Sequence, residues 1–265
     1  MSNLLNRWRR GSWPVTPGQG ADAQLKESFG ILRRKWAEVP GGDHTRVMSA
    51  ELLRLSDQQL LQKWQERFDD SSTGKAFSSR GWYQLLYKDV FRGKKLIDFG
   101  CGLGFDTIFY AQHGAEVTFV DLVPTNVEVV KRLCHLKGLA RTHFCCMEDL
   151  SSLAGLPADY DFIYCLGSLL HAPLEVTRLE AQALLNHLPP GGRWIALAYP
   201  KARWVRDGRK AFTDWGRKTD GGAPWTEWHD LDKVQSYLAP ATFELVMTLD
   251  FHNSDFNWFD LIRRS

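Results

Sequence analysis

Charge of one sign is scarce in this chain: 33 Lys and Arg stand against 31 Asp and Glu, a formal net charge of +2. Near-neutrality removes the electrostatic footprint of a nucleic-acid binder, so no nucleic-acid partner is expected. Long apolar runs are missing too. No stretch approaches the ~20 residues that cross a bilayer, so no transmembrane segment is expected. The opening MSNLLNRWRRGSWP lacks the apolar centre of an export signal, which points to a cytoplasmic protein. Cysteine is sparse and odd in number, with five (Cys101, Cys134, Cys145, Cys146, Cys165) and no zinc-like pairing. These read as small buried hydrophobes in a reducing compartment. No run of ligands makes a metal centre. Asp250, Asp255 and Asp260 are evenly placed, but their segment reads as a hairpin connection. No internal repeat is present.

What is present is an ordinary globular composition, 44% hydrophobic and 24% charged over 265 residues. That length suits one large α/β domain with an N-terminal extension. The organising stretch is Lys95 to Gly104, KLIDFGCGLG. Leu96 to Phe99 reads as a short buried parallel strand. Gly100, Gly102 and Gly104 follow at alternate positions, and glycine lets a ligand lie against bare backbone. A helix pattern begins at once at Phe105 and closes at Gly114. Strand, glycine turn and helix are the first half of a nucleotide-binding βαβ unit. The next strand, Glu116 to Asp121, ends in an acid placed to accept from both ribose hydroxyls. The turn differs from the dinucleotide pattern G-x-G-x-x-G, because Asp98 stands inside the strand end. A carboxylate there repels a pyrophosphate and suits a cationic sulfonium bearing an ammonium group.

On these residues the chain resembles the class I S-adenosylmethionine-dependent methyltransferases. DFGCGLG is similar to their first motif and VTFVD to their second. Glu148-Asp149 follows the third strand, Asp161 to Leu166 resembles the fourth, and LPPGG resembles the turn before the fifth. The resemblance implies S-adenosyl-L-methionine as cofactor. It implies that Asp98, Gly100, Cys101, Gly102, Gly104, Asp121, Leu122 and Leu166 hold it. It also implies an acid, Glu148 or Asp149, near the adenine amine. Arg80 stands just before the first strand, where it is either a partner for the cofactor's carboxylate or solvated surface. Trp82 and Tyr87 beside it read as helix-packing core.

The expected fold is a Rossmann-like doubly wound sheet of seven strands, mostly parallel. Repeated β-α units predict the parallel part. Two strand runs, Thr242 to Leu249 and Asn257 to Arg263, leave no room for a helix between them and so form an antiparallel C-terminal hairpin. Residues 1–80 are expected to be an N-terminal helical extension or lid, and residues 81–265 the cofactor-binding domain. Helices are predicted from Ala21 to Val39, from Ser49 to Phe68 and from Gly81 to Val90. Their apolar faces should pack on the catalytic domain or on a partner subunit, which makes a homodimer through these helices possible.

One insertion, residues 200–228, carries Trp204, Trp215, Trp225 and Trp228 among seven Lys and Arg. Insertions at the C-terminal ends of parallel strands overlie the site. Tyr199, Trp204, Trp225 and His229 are therefore expected to bind the acceptor, a small molecule with a flat or sugar-like face. The loop after strand four holds His171, the preferred general base because imidazole titrates near neutrality. Tyr199, His229 and His252 are its rivals. The expected activity is methylation of a small polar metabolite, at oxygen, on a sugar-like or glycosylated acceptor. The alternatives are methylation of protein or tRNA, and a catalytically silent partner subunit with the cofactor fold. On the nucleotide motif alone, a dehydrogenase competes.

Overall fold

The computed structural model describes residues 19–42, 45–73 and 80–265. The opening MSNLLNRWRRGSWP stretch lies outside the described residues.

The chain begins with α1 (Gln19–Trp36), an antiparallel hairpin of β1 (Glu38–Gly42) and β2 (Thr45–Met48), and three helices, α2 (Ser49–Leu52), α3 (Asp57–Ser72) and α4 (Gly81–Val90). The hairpin was not expected: the first helix stops at Trp36 rather than at Val39. The single helix expected from Ser49 to Phe68 is two. Ser56 interrupts it as an N-cap. Its side chain accepts from Gln59 N–H at 3.3 Å while the Gln59 side chain accepts from Ser56 N–H at 3.0 Å, a capping box that starts a new helix.

The sheet follows as β3 (Lys95–Phe99), β4 (Glu116–Asp121), β5 (Thr142–Cys146), β6 (Phe162–Leu166), β7 (Arg193–Ala198), β8 (Phe243–Phe251) and β9 (Phe256–Arg263). Its order is β5-β4-β3-β6-β7-β9-β8. Strands β3 to β7 run parallel, and β9 is antiparallel to both β7 and β8. This is the expected seven-stranded, mostly parallel sheet with its antiparallel end. The crossovers use α5 (Phe105–Gln112), α6 (Pro124–Leu136) and α7 (Leu174–Leu185), and α7 packs beside α10 (Leu231–Leu238). The insertion holds two short helices of its own, α8 (Lys201–Arg206) and α9 (Phe212–Lys218).

Alternation along the buried strands divides the core by face. Ile97, Phe99, Ile163 and Cys165 point to one side, where Phe29 and Leu32 of α1 pack. Leu96, Phe162 and Tyr164 point to the other, where Trp64 of α3 and Tyr83 and Tyr87 of α4 pack. Each fully buried aromatic of this kind contributes about 1.5–3 kcal/mol by burial. The N-terminal helices thus cover both faces of the sheet within one chain. Trp82 stands edge-on to Trp258, and Tyr87 donates to Asp260 at 2.5 Å. Asp260 is ion-paired with Arg193 and is 1% exposed, so it is a core group. Among the described residues no three His, Cys, Asp or Glu gather as metal ligands. No described helix is long and apolar enough to cross a membrane.

Candidate active site

The turn between β3 and α5 is pulled across the end of β4. The N–H groups of Gly100 and Cys101 both donate to Val120 O, at 2.8 and 3.1 Å. Gly100 sits at φ +76°, and a Cβ on it would lie 2.5 Å from Ser168 Cβ. It is glycine because the loop after β6 crosses there. Gly102 has open space around it but sits at φ +53°, so backbone conformation alone selects glycine.

Asp121 closes β4 under this turn. Its Oδ2 accepts from Gly102 N–H at 2.9 Å and its Oδ1 from Val123 N–H at 2.8 Å. Burial pushes its carboxyl up to about 6, against the pull of those two N–H groups. Asp98, one residue before the end of β3, is pushed by burial up to about 8, although Thr107 Oγ1 donates to it at 2.5 Å.

These groups line one cavity of about 390 Å³, within the range that holds a small ligand or cofactor. Three clusters make its wall. Arg80 stands with Tyr83, Asp106 and Tyr164. Leu32, Phe99, Val120, Met147 and Ala172 are apolar lining residues from one core cluster, and Glu180 also lines the cavity. Trp36, His171, Tyr199, Asp220 and Phe256 form the third.

The third cluster draws on five segments of the chain. The rings of Trp36 and His171 are 4.5 Å apart. His171 Nδ1 lies 3.3 Å from Trp225 O and 3.3 Å from Thr226 Oγ1. With the proton on Nδ1 donated to that carbonyl, Nε2 keeps its lone pair. Nε2 is 3.8 Å from Asp220 Oδ2, and Tyr199 donates its hydroxyl to Asp220 Oδ1 at 2.5 Å. Asp220 Oδ2 is buried with no hydrogen-bond partner among the described residues. Burial lowers the His171 pKa, and the Asp220 charge opposes that shift. At neutral pH the imidazole is therefore neutral and able to accept a proton.

Arg80, Asp98, Gly100, Cys101, Gly102, Gly104, Asp121, Leu122, Leu166, His171 and Tyr199 all line this cavity. Others do not. Asp149 turns away to cap a short 3-10 helix, accepting from Ser151 N–H at 2.9 Å, and Glu148 is exposed. Trp204 packs on Phe212 and Trp228, and Trp225 packs on Phe212. These rings build the interior of the insertion instead of the cavity wall, because a short loop with two helices needs a core of its own. His229 is 2% exposed and packs on Tyr237. Burial pushes its pKa down to about 3. His252 lies in the turn between β8 and β9, at φ +52°, and is not on the cavity wall.

Among the cavity residues that escaped the sequence reading are Trp36, Arg46, Glu180 and Asp220. Asp220 had one signal. It opens Asp-Gly-Gly, a turn sequence, and it sits at φ +45°. Glu180 had another, as an acid on the apolar face that Val176, Ala181 and Leu184 define.

Comparison with known proteins agrees with this geometry. The methyltransferase domain family matches residues 96–192. The chain is 39% identical over 103 residues to the ubiquinone biosynthesis O-methyltransferase of Xylella fastidiosa, covering 38% of this chain and 40% of that protein. It is 30% identical over 179 residues to the enzyme of the same name from Bordetella pertussis, covering 68% of this chain and 61% of that protein. The chain thus spans less than two thirds of these curated relatives. Among solved structures, magnesium protoporphyrin IX methyltransferase from Synechocystis with bound S-adenosylhomocysteine superposes with a TM-score of 0.54 at 20% identity, covering 92% of this chain and 97% of that one. A Pyrococcus horikoshii protein superposes with a TM-score of 0.56 at 16% identity, covering 75% and 97%. Residues 96–192 are thus a methyltransferase domain by family match, and the chain shares the fold of a methyltransferase solved with S-adenosylhomocysteine; the cofactor of such a domain is S-adenosylmethionine.

The residues fit that cofactor. Asp106 and Asp121 line the cavity beside the glycine-rich turn, which favours a cation lying against backbone. Asp121, at the end of β4, has the acceptor oxygens that ribose hydroxyls require.

Proposed function

We propose that this protein transfers the methyl group of S-adenosylmethionine to a hydroxyl of a small polar acceptor with a flat or sugar-like face. The observation that carries this reading is the His171–Asp220–Tyr199 cluster on the wall of the cofactor cavity. The bound cofactor supplies the electrophilic methyl group. His171 Nε2 takes the acceptor's hydroxyl proton, and Asp220, 3.8 Å away, stabilises the imidazolium that forms. Tyr199 fixes the Asp220 carboxylate through its hydroxyl. Trp36, Tyr199 and Phe256 offer aromatic walls to the acceptor, and Arg80 pairs with the cofactor's carboxylate. The names of the curated relatives, O-methyltransferases of ubiquinone biosynthesis, support oxygen as the target and a small molecule as the acceptor. The size of the cavity disfavours a protein or tRNA. We further read residues 1–80 as a lid, since Leu32, Trp36, Val39 and Arg46 reach the cavity wall from before the catalytic domain.

The test is incubation with methyl-labelled S-adenosylmethionine and a panel of hydroxylated metabolites, with products read by mass spectrometry. A methyl ether formed by the wild type and lost in His171→Ala supports the reading. Label on nitrogen, or on protein or tRNA, overturns it. Cofactor binding with no transfer to any acceptor favours the silent partner.

A further inference from the structure

The His171 end of the cavity carries a cation that the proposed chemistry does not use. Arg46 stands on β2, paired in register with Pro40 of β1, and it lines the cavity. Two contacts place it in the third cluster. Its guanidinium carbon lies over the Trp36 ring, 5.4 Å from the centre, and that ring lies 4.5 Å from the His171 ring. The second contact is with the residue after Asp220: a Cβ on Gly221 would lie 2.6 Å from Arg46 Nε.

The other charges at this end have partners. Lys35 is ion-paired with Glu38 and donates to Gly221 O at 2.6 Å. Asp220 accepts from the Tyr199 hydroxyl and faces His171 Nε2 at 3.8 Å. Among the described residues Arg46 makes no hydrogen bond or ion pair. The cation–π contact with Trp36 orients the guanidinium and leaves its N–H groups without an acceptor. A bare cation there also works against the proton transfer. It opposes the positive charge that His171 gains. Burial lowers the His171 pKa, and the Arg46 charge lowers it further. An anion held on Arg46 removes that opposition.

We propose that the acceptor is a hydroxylated anion, whose carboxylate or phosphate is bound by Arg46 while His171 takes the proton of its hydroxyl. This rests on the acceptor reading above and narrows it. A guanidinium presents paired N–H donors at the spacing of two oxygens of a carboxylate or a phosphate. Trp36, Tyr199 and Phe256 then hold the body of the molecule.

The test titrates benzoate, inorganic phosphate and the neutral benzamide into the full-length protein, with binding read from histidine ring shifts by NMR. Wild type, Arg46→Gln and Arg46→Lys are compared with and without saturating S-adenosylhomocysteine, each checked for folding by circular dichroism. The wild type should bind at least one of the two anions about tenfold more tightly than benzamide. Arg46→Gln should lose about tenfold for that anion and nothing for benzamide. Arg46→Lys, which keeps the charge without the paired donors, should fall between. S-adenosylhomocysteine affinity, by calorimetry, should stay within about threefold in all three proteins. Preference for benzoate assigns a carboxylic acid and preference for phosphate a phosphate ester; either supports the proposal. No binding of either anion, benzamide held as tightly as both, or undiminished anion binding in Arg46→Gln overturns it. So does a tenfold loss of S-adenosylhomocysteine affinity in Arg46→Gln, because Arg46 would then hold the cofactor's carboxylate. A wild type that binds no S-adenosylhomocysteine instead overturns the proposed function, and the titrations without that ligand still decide the anion site, so the two failures are distinct.

Discussion

Asp220→Asn perturbs the reacting end of the cavity with least change of shape. The asparagine keeps an oxygen for the Tyr199 hydroxyl, so the cluster stays assembled while its charge is lost. Asp220 Oδ2 lies 3.8 Å from His171 Nε2. At an effective dielectric of about 20, a full charge pair at that distance is worth about 4 kcal/mol. With roughly half of the imidazolium charge developed in the transition state, the loss is about 2 kcal/mol, or about 30-fold in kcat. The sign of the pH effect is fixed as well. Burial lowers the His171 pKa and Asp220 opposes it, so removing the charge lowers that pKa further. The wild-type rate should be flat at neutral pH and fall with acid below the ordinary imidazole value of about 6.5. In Asp220→Asn the plateau should drop while the acidic limb moves to lower pH. The assay is kcat against pH, with S-adenosylhomocysteine affinity measured in parallel. A plateau within twofold of wild type, or a limb that does not move, refutes the reasoning.

Three further outcomes follow from the same geometry. His171→Ala should lower kcat by on the order of 10²–10⁴ and leave S-adenosylhomocysteine affinity unchanged by calorimetry. Asp121→Ala should weaken cofactor binding by roughly 1.5–3 kcal/mol. Because the Asp121 carboxyl titrates at about 6, wild-type affinity should fall as acid protonates that acceptor. Gly100→Ala should destabilise the ligand-free protein by about 1–3 kcal/mol in thermal melts, since its Cβ would meet Ser168 at 2.5 Å.

Much of the fold was legible because its signals are local. The β3 run, the alternating glycines and Asp121 at the end of β4 lie within one βαβ unit, so the sequence reveals a nucleotide cradle directly. The third cluster was less legible because its members come from separate segments. Trp36 ends α1, His171 follows β6, Tyr199 follows β7 and Asp220 sits in the insertion. No spacing in the chain announces that four such residues meet. His171 and Tyr199 were singled out by chemistry and strand position, and Asp220, which joins them, was not. The Trp-rich insertion misled for a physical reason. Aromatic residues beside basic ones read alike whether they line a ligand site or pack on one another. Only the ring contacts, Trp204 on Phe212 and Trp228, and Phe212 on Trp225, distinguish the two. The break between α2 and α3 had been written in Ser56 and Gln59, a capping pair inside an unbroken apolar pattern.

The central claim is that one cavity seats the cofactor's ribose on Asp121 and aims its sulfur at His171. A crystal structure of the protein with S-adenosylhomocysteine tests it most directly. The account predicts both ribose hydroxyls on the Asp121 carboxylate, the chain of the ligand along Gly100 to Gly104, and the sulfur facing the space between His171 and Tyr199. Density for the ligand with its ribose away from Asp121, or with its sulfur turned from His171, would contradict it.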